Sequence, residues 1–337
     1  RARRSDRLGP ETLVDLLPDG RRVPARLPLE QTLGGDSIGT VNDALYVGAD
    51  NVDPDERSGL QSLRNIEEVS IVAVPGRAGA QIQQAVIDHC ELLRYRFGVL
   101  DARPEPTDTL TDVQDQRQQF DTKYAALYYP WLAIPSPFPD NRPGVQDYPI
   151  PPSGHIVGVY ARTDITRGVH KAPANEVVRG AVTLETQITK NEHDLLNPVG
   201  INCIRSFPGR GIRVWGARTI SSDPAWRYLN IRRLFNYLEE SILGGTQWAV
   251  FEPNDQALWA KMRRTISAFL VNEWRKGALF GLTPDEAFFV RCDDETNPAE
   301  GIDAGQVVCE IGVAPVKPAE FVIFRLSQYS GGASLTE

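Results

Sequence analysis

Sulfur is scarce in this sequence: one methionine and four cysteines, Cys90, Cys203, Cys292 and Cys309, none of them in C-x-x-C spacing. Zinc sites draw paired ligands at short intervals, so the spacing excludes the common zinc folds. Scattered cysteines in a chain this long read as reduced, mostly buried thiols. A Cys292–Cys309 bridge is the alternative if the two are hairpin neighbours. The compartment expected is a bacterial-type cytosol, at least during folding. Histidine is equally rare, and His89, His155, His170 and His193 stand in no recognisable motif. No apolar run approaches the roughly 18–20 residues of a membrane span. The opening Arg-Ala-Arg-Arg-Ser lacks the apolar core of a signal peptide. Numbering that begins at Arg1 leaves room for a longer polypeptide upstream. Positive charge is in the minority, with 36 Lys and Arg against 44 Asp and Glu and a net charge of −8. That balance argues against a phosphate-neutralising, nucleic-acid-binding surface.

Catalytic motifs are missing as well. Phe207-Pro208-Gly209-Arg210-Gly211 is glycine-rich but lacks the G-x-x-x-x-G-K-[ST] frame, and no G-x-G-x-x-G opens a helix after a strand. Gly35-Asp36-Ser37-Ile38-Gly39 fits G-x-S-x-G, which would make Ser37 the nucleophile of a serine hydrolase. The residues before it make a poor strand and those after it a poor helix start, so a glycine-rich turn is the better reading. No histidine is placed to serve as its base. Asp293-Asp294-Glu295-Thr296-Asn297 suggests a calcium loop, but Pro298 stands where an EF-hand needs glycine, and a solvated acidic loop results.

What is present is globular: 41% hydrophobic, 24% charged and 8% aromatic residues, in a length that suits about two domains. Residues 1–58, rich in Arg, Pro, Gly and Asp, read as irregular or as the remnant of an inserted or N-terminal domain. Val69–Val74 is a β-branched run stopped by Pro75-Gly76, a buried strand. A helix is predicted from Ala80 to Phe97, with Ile82, Val86, Cys90 and Leu93 on one face and Gly98 as its stop. Val99-Leu100-Asp101 begins the next strand, and strand, helix, strand implies parallel pairing. Thr107 to Phe120 reads as a surface helix with its loop, and Ala125 to Ile134 as a core strand interrupted by Pro130. The prolines crowding residues 135–152 make an extended loop, and His155 to Thr163 is a strand or a helix start.

A second unit is expected from about Asn191. Ile201–Arg205 and Ile212–Trp215 form a hairpin there. A helix follows from Trp226 to Leu243, stopped by Gly244-Gly245, and another from Asn254 to Gly277. Strands at Phe288–Arg291, Gln306–Gly312 and Glu320–Leu326 complete an α+β half.

Two features lack a catalytic explanation. Phe321-Val322-Ile323-Phe324-Arg325-Leu326 is apolar on both faces. It is either a central strand of the chain's own sheet or a strand that pairs with another subunit's edge. On the second helix, Lys261, Arg263, Arg264, Arg275 and Lys276 face only Asp255 and Glu273. That is either an ordinary solvated face or a basic surface for an acidic partner.

Several stretches, taken in order, resemble one family. They are Asn202 to Asp223, Tyr228-Leu229-Asn230-Ile231-Arg232-Arg233-Leu234, Phe251-Glu252-Pro253-Asn254, Trp274–Leu279, Arg291-Cys292-Asp293 and Pro318–Phe324. Val74-Pro75-Gly76 with the His89-Cys90 helix matches further upstream. From about residue 60 onward the chain resembles the contractile tail sheath proteins of phages, pyocin-like bacteriocins and extracellular contractile injection systems. The resemblance implies a middle α/β domain of subtilisin-like fold over 59–193, a C-terminal α+β domain over 194–318, and an arm strand with flexible tail over 319–337. It implies a structural subunit, without enzymatic activity or cofactor, that stacks as hexameric rings around an inner tube and contracts. Its partners would be further sheath copies, the tube protein, and baseplate and terminal cap proteins, with neither nucleic acid nor a membrane span. Assembly would occur in the bacterial cytoplasm, as part of a phage tail or injection particle. Carried onto this chain, the inter-subunit arm is Phe321, Val322, Ile323, Phe324, Arg325, Leu326, Ser327 and Gln328. Lys261, Arg263, Arg264, Arg275 and Lys276 are the tube-facing candidates. The family's PGVYVEE-like opening segment is not found in the sequence.

Overall fold

The apolar runs on either side of residue 100 become the middle of a parallel sheet. The computed structural model describes residues 42–104, 109–136 and 147–321 and divides into units spanning 1–66 and 67–337. In the first unit a short helix, α1 (Asp43–Val47), is capped by Asn42, whose side chain accepts from Leu45 N. A single 3-10 turn at Pro54–Glu56 and a seven-residue 3-10 helix at Gly59–Asn65 follow. Gly48 sits at φ +72°, where a Cβ would lie 1.9 Å from the Ser58 carbonyl oxygen. Part of the stretch expected to be irregular is therefore tightly turned. Residues 1–41, with Ser37, lie outside the described residues.

The second unit opens with β1 (Ile71–Ala73), α2 (Ala80–Leu93), β2 (Phe97–Asp101), α3 (Leu110–Gln118), β3 (Ala125–Tyr129), β4 (Leu132–Pro135) and β5 (Asp147–Ile150). Next come α4 (Ser153–Arg167), β6 (Glu176–Val177), β7 (Thr183–Leu184), α5 (Lys190–Leu196), β8 (Ile201–Phe207) and β9 (Gly211–Val214). The main sheet runs β1-β2-β3-β8-β9-β6. Its first four strands are parallel, and β9 and β6 add antiparallel. A smaller sheet runs β5-β4-β7.

Every residue of β2 and β3 is buried, because helices cover both faces, as parallel strands require. On one face Phe97, Val99 and Tyr128 meet Ile156, Val159 and Tyr160 of α4, with the Phe97 and Tyr160 rings 6.4 Å apart. On the other, Gly98 admits α2, since a Cβ there would lie 3.1 Å from Val86 Cγ1. That corrects the sequence reading of Gly98 as a helix stop. The helix ends at Leu93, with Arg94 at φ +60°, and glycine is needed in the strand for close packing. At the C-terminal end of β2, the Asp101 carboxylate accepts from Gly76 N (3.0 Å), Ser153 N (2.7 Å) and Ser153 Oγ (2.7 Å). Burial outweighs those bonds and pushes its pKa up to about 6.

Other expectations shift too. Pro130 divides the single strand expected over 125–134 into β3 and β4, which join different sheets. For the 155–163 segment, open between a strand and a helix start, the structure gives the helix, inside α4. The end of the proline-rich loop pairs as β5 with β4. The β8–β9 hairpin, expected in the second half, pairs with β3 and completes the first sheet.

The remaining elements are α6 (Leu229–Thr246), α7 (Gln256–Arg275), α8 (Pro284–Ala287), β10 (Phe288–Arg291), α9 (Ala299–Asp303) and β11 (Glu310–Val313). α6 runs through Gly244 and Gly245 instead of stopping there. Glycine costs about 1 kcal/mol each in a helix interior; at this exposed end Trp248 Nε1 donates to the Gly245 carbonyl, while Leu234 and Leu238 are buried earlier in the helix. Their cluster includes Ile266, Leu270 and Leu279, with Phe288, Val290, Ile311 and Val313 of the β10–β11 ladder against it.

Candidate assembly interface

The second unit is stitched together by buried cations at the start of α6. Arg233 donates twice to Asp164 of α4, at 3.0 and 2.5 Å, with its guanidinium 4.7 Å from the Tyr160 ring centroid. Arg232 is buried over Trp226 and bonds Asn236 and Glu239. Asn230 reaches the His170 carbonyl and Asn236 that of Arg96. The Asn-x-Arg-Arg stretch thus joins the helical half to the parallel sheet.

Outward from this joint, β10 and β11 pair antiparallel in a sheet of two strands. Ala314 N donates to Ala287 O, which sets the alternation along the ladder. It turns the backbone N–H and C=O groups of Phe288 and Val290 to one outer edge and those of Ile311 and Val313 to the other. No third strand pairs with either edge among the described residues. An open edge of this kind accepts an added strand.

α7 packs Leu258, Met262, Ile266 and Leu270 inward. At about 100° per residue, Lys261, Arg264, Arg275 and Lys276 fall on its outer side beside Ala257, Ala268 and Asn272, all exposed. Arg263 lies on a different side and donates to the Cys292 carbonyl, so it is not part of that face. Glu273, the helix's own carboxylate, is buried and bonded by Tyr237 and Lys276. That hydrogen bond holds the Lys276 ammonium above its usual range. Lys261 rests 3.8 Å from the Trp248 ring centroid. The outer side is thus cationic, with small residues between the charges.

Of the expected arm, Phe321 is described and exposed, outside any strand; Val322 to Gln328 lie outside the described residues. Just before it, Glu320 accepts from Arg218 Nε (2.9 Å) and Nη2 (2.7 Å), Asn197 Nδ2 (2.6 Å) and Tyr228 Oη (3.1 Å). Burial alone would raise its pKa, and the bonds from Arg218 and Asn197 overcome that and hold it below the usual range. Nothing in the local sequence singles out these partners. The available signal was Asn202 and Arg218 standing inside one family-like stretch.

Several of the residues weighed for catalysis have structural employment, while Ser37 lies outside the described residues. Asp293 accepts from Glu295 N and Thr296 N within its own turn. His193 bonds the Trp215 carbonyl, and His89 the Arg96 guanidinium. All four cysteines are free thiols, three of them buried. Among the described residues no group of His, Cys, Asp and Glu could hold a metal ion, and no helix is long and apolar enough to cross a membrane.

Comparison with known proteins agrees with this architecture. Residues 54–220 match the phage tail sheath protein central domain and residues 221–328 the phage tail sheath C-terminal domain. The tail sheath protein of Vibrio phage KVP40 is 29% identical over 192 residues, 56% of this chain and 28% of that protein. The chain therefore matches little more than a quarter of that relative. The tail sheath protein of Escherichia phage P2 is 25% identical over 336 residues, covering 95% of this chain and 77% of the phage protein. Among solved structures, the PVC sheath complex of an extracellular contractile injection system, in its contracted state, is 36% identical with a TM-score of 0.71. That match covers 80% of this chain and 75% of the other. With both domains matched in order along most of its length, the chain belongs to the contractile tail sheath proteins.

Proposed function

We propose that this chain is a sheath subunit that polymerises as stacked hexameric rings around an inner tube and contracts to drive the tube through a target envelope. The family is structural and not enzymatic, and the described residues assign no catalytic constellation. One observation carries the reading: β10 and β11 leave both edges of their ladder open among the described residues. The arm from Phe321 to Gln328 adds to such an edge on a neighbouring copy, and its two-sided apolar pattern suits cover on both faces. The cationic outer side of α7 faces the inner tube. The parallel sheet between α2 and α4 corresponds to the subtilisin-like middle domain implied by the resemblance. Baseplate and cap proteins close the polymer at its ends, and assembly takes place in the bacterial cytoplasm. No nucleotide is required, since the energy of contraction is the difference in contact energy between two packings of one subunit, summed over many copies.

Removing residues from Pro318 onward tests the arm. The truncated subunit is expected to remain soluble and folded, and to form no sheaths by negative-stain microscopy. Normal sheaths from that truncation overturn the reading.

A further inference from the structure

We infer that Glu320 is a positioning residue that fixes where the C-terminal arm leaves the subunit, through a buried carboxylate receptor built by Asn202, Arg218, Asn197 and Tyr228. The inference rests on the arm reading above and concerns what aims the arm.

The receptor is assembled from positions far apart in sequence. Asn202, fully buried on β8, clamps the Arg218 backbone from both sides: its Oδ1 accepts from Arg218 N at 2.7 Å and its Nδ2 donates to Arg218 O at 2.8 Å. Gly216 makes room, since a Cβ there would lie 2.8 Å from Asn202 Oδ1. Arg218 also pairs with Tyr228 as an isolated antiparallel bridge. The guanidinium and the phenol hydroxyl are thereby set side by side before Glu320 arrives. The side chains of Arg218 and Glu320 are only 8% and 17% exposed. Bidentate, charge-assisted bonds in such a setting define direction as well as energy.

The place of Glu320 in the chain turns this contact into an anchor. Upstream, Val316 N donates to Ala278 O, and Leu279 bridges Pro315, so residues 314–316 belong to the helical half. Glu320 is bonded to the sheet half. The strap between crosses from one to the other, and the arm therefore departs beside Asn197 and Arg218, away from β11. Without the receptor the last fixed point retreats from Glu320 to Val316. The four steps from Val316 to Glu320 add up to about 14 Å of slack at roughly 3.4 Å per residue. Slack and lost direction lower the effective concentration of the arm at a neighbour's sheet edge.

The test is hydrogen exchange on the full-length subunit below its polymerisation threshold, followed by measurement of that threshold. In Glu320→Gln, the hydrogen-bonded amides beside the receptor, Arg218 N on Asn202 Oδ1 and Val316 N on Ala278 O, are expected to exchange about tenfold faster and the threshold to rise by about tenfold, the scale of losing a charge-assisted bond. Amides of β2 and β3 should be unchanged. Tyr228→Phe, which removes one donor with little change of shape, should give about threefold in both. Unchanged exchange in Glu320→Gln overturns the inference while leaving the arm reading intact. Faster exchange with an unaltered threshold also overturns it. A subunit truncated at Pro318 that still forms sheaths sinks the arm reading and this inference with it.

Discussion

Replacing Asp164 by alanine is expected to loosen the helical half of the second unit from its sheet, and the size of the effect follows from the Arg233 site. The Arg233 and Asp164 side chains are 7% and 21% exposed, joined by two parallel hydrogen bonds of 3.0 and 2.5 Å. Asp164→Ala leaves a guanidinium in a site built for a pair, with the Tyr160 ring as its remaining neighbour. Breaking one side of a buried pair costs about 3–5 kcal/mol. Removing both, as Asp164→Leu with Arg233→Met, should cost clearly less, because no uncompensated charge remains. A double-mutant cycle on those two substitutions is expected to return a coupling of about 2–3 kcal/mol. Near 2–4 °C per kcal/mol for a unit of this size, Asp164→Ala should lower Tm by roughly 10 °C. Urea unfolding of wild type, both single variants and the double variant, followed by near-ultraviolet dichroism, supplies the measurement. A coupling under about 0.5 kcal/mol would mean the pair adds nothing beyond packing, and the account of this joint would be wrong.

Asp101 predicts a pH dependence. Its folded pKa of about 6 lies above the ordinary carboxylate value, so the folded state binds the proton more tightly than the unfolded chain. That contribution is fully present below about pH 4 and is lost as pH rises through about 6, on the order of 2–3 kcal/mol in all. Urea midpoints for Asp101→Asn should lack this slope, and a slope shared by both proteins refutes the assignment. On α7, Arg264→Glu with Arg275→Glu should weaken tube-templated assembly several-fold without changing Tm, since both residues are exposed. Arg263→Glu should instead lower Tm, because Arg263 holds the Cys292 carbonyl. An undiminished assembly yield from the Arg264 and Arg275 pair defeats the tube contact.

Much of the fold was legible because it is written locally. Val69–Val74 and Val99–Asp101 announce strands by their apolar runs, although the first becomes the short edge strand β1, in which Val72 alone is buried, and Asp255 caps α7. The turn at Phe207–Gly211 closes the β8–β9 hairpin. Local reading failed where a distant partner overruled propensity. Gly98 looks like a helix stop until α2 is packed against β2, and Gly244-Gly245 look like another, yet α6 continues through them although both are exposed. Of the five cations on the second helix, spacing at about 100° per residue sets Arg263 apart from the others, but its acceptor, the Cys292 carbonyl just past β10, is not named by any local pattern.

The sequence by itself determined the class of elements, the order of the sheath-like stretches, and hence the family. Those depend on runs, caps and motifs that act over a few residues. Only the tertiary structure decided which sheet the β8–β9 hairpin joins, that Arg263 is tied to the Cys292 carbonyl, and that Glu320 is gripped. Arg233 finds Asp164 across 69 positions and Glu320 finds Asn197 across 123. Contacts that far apart are chosen by how the layers stack, and no local pattern records that choice.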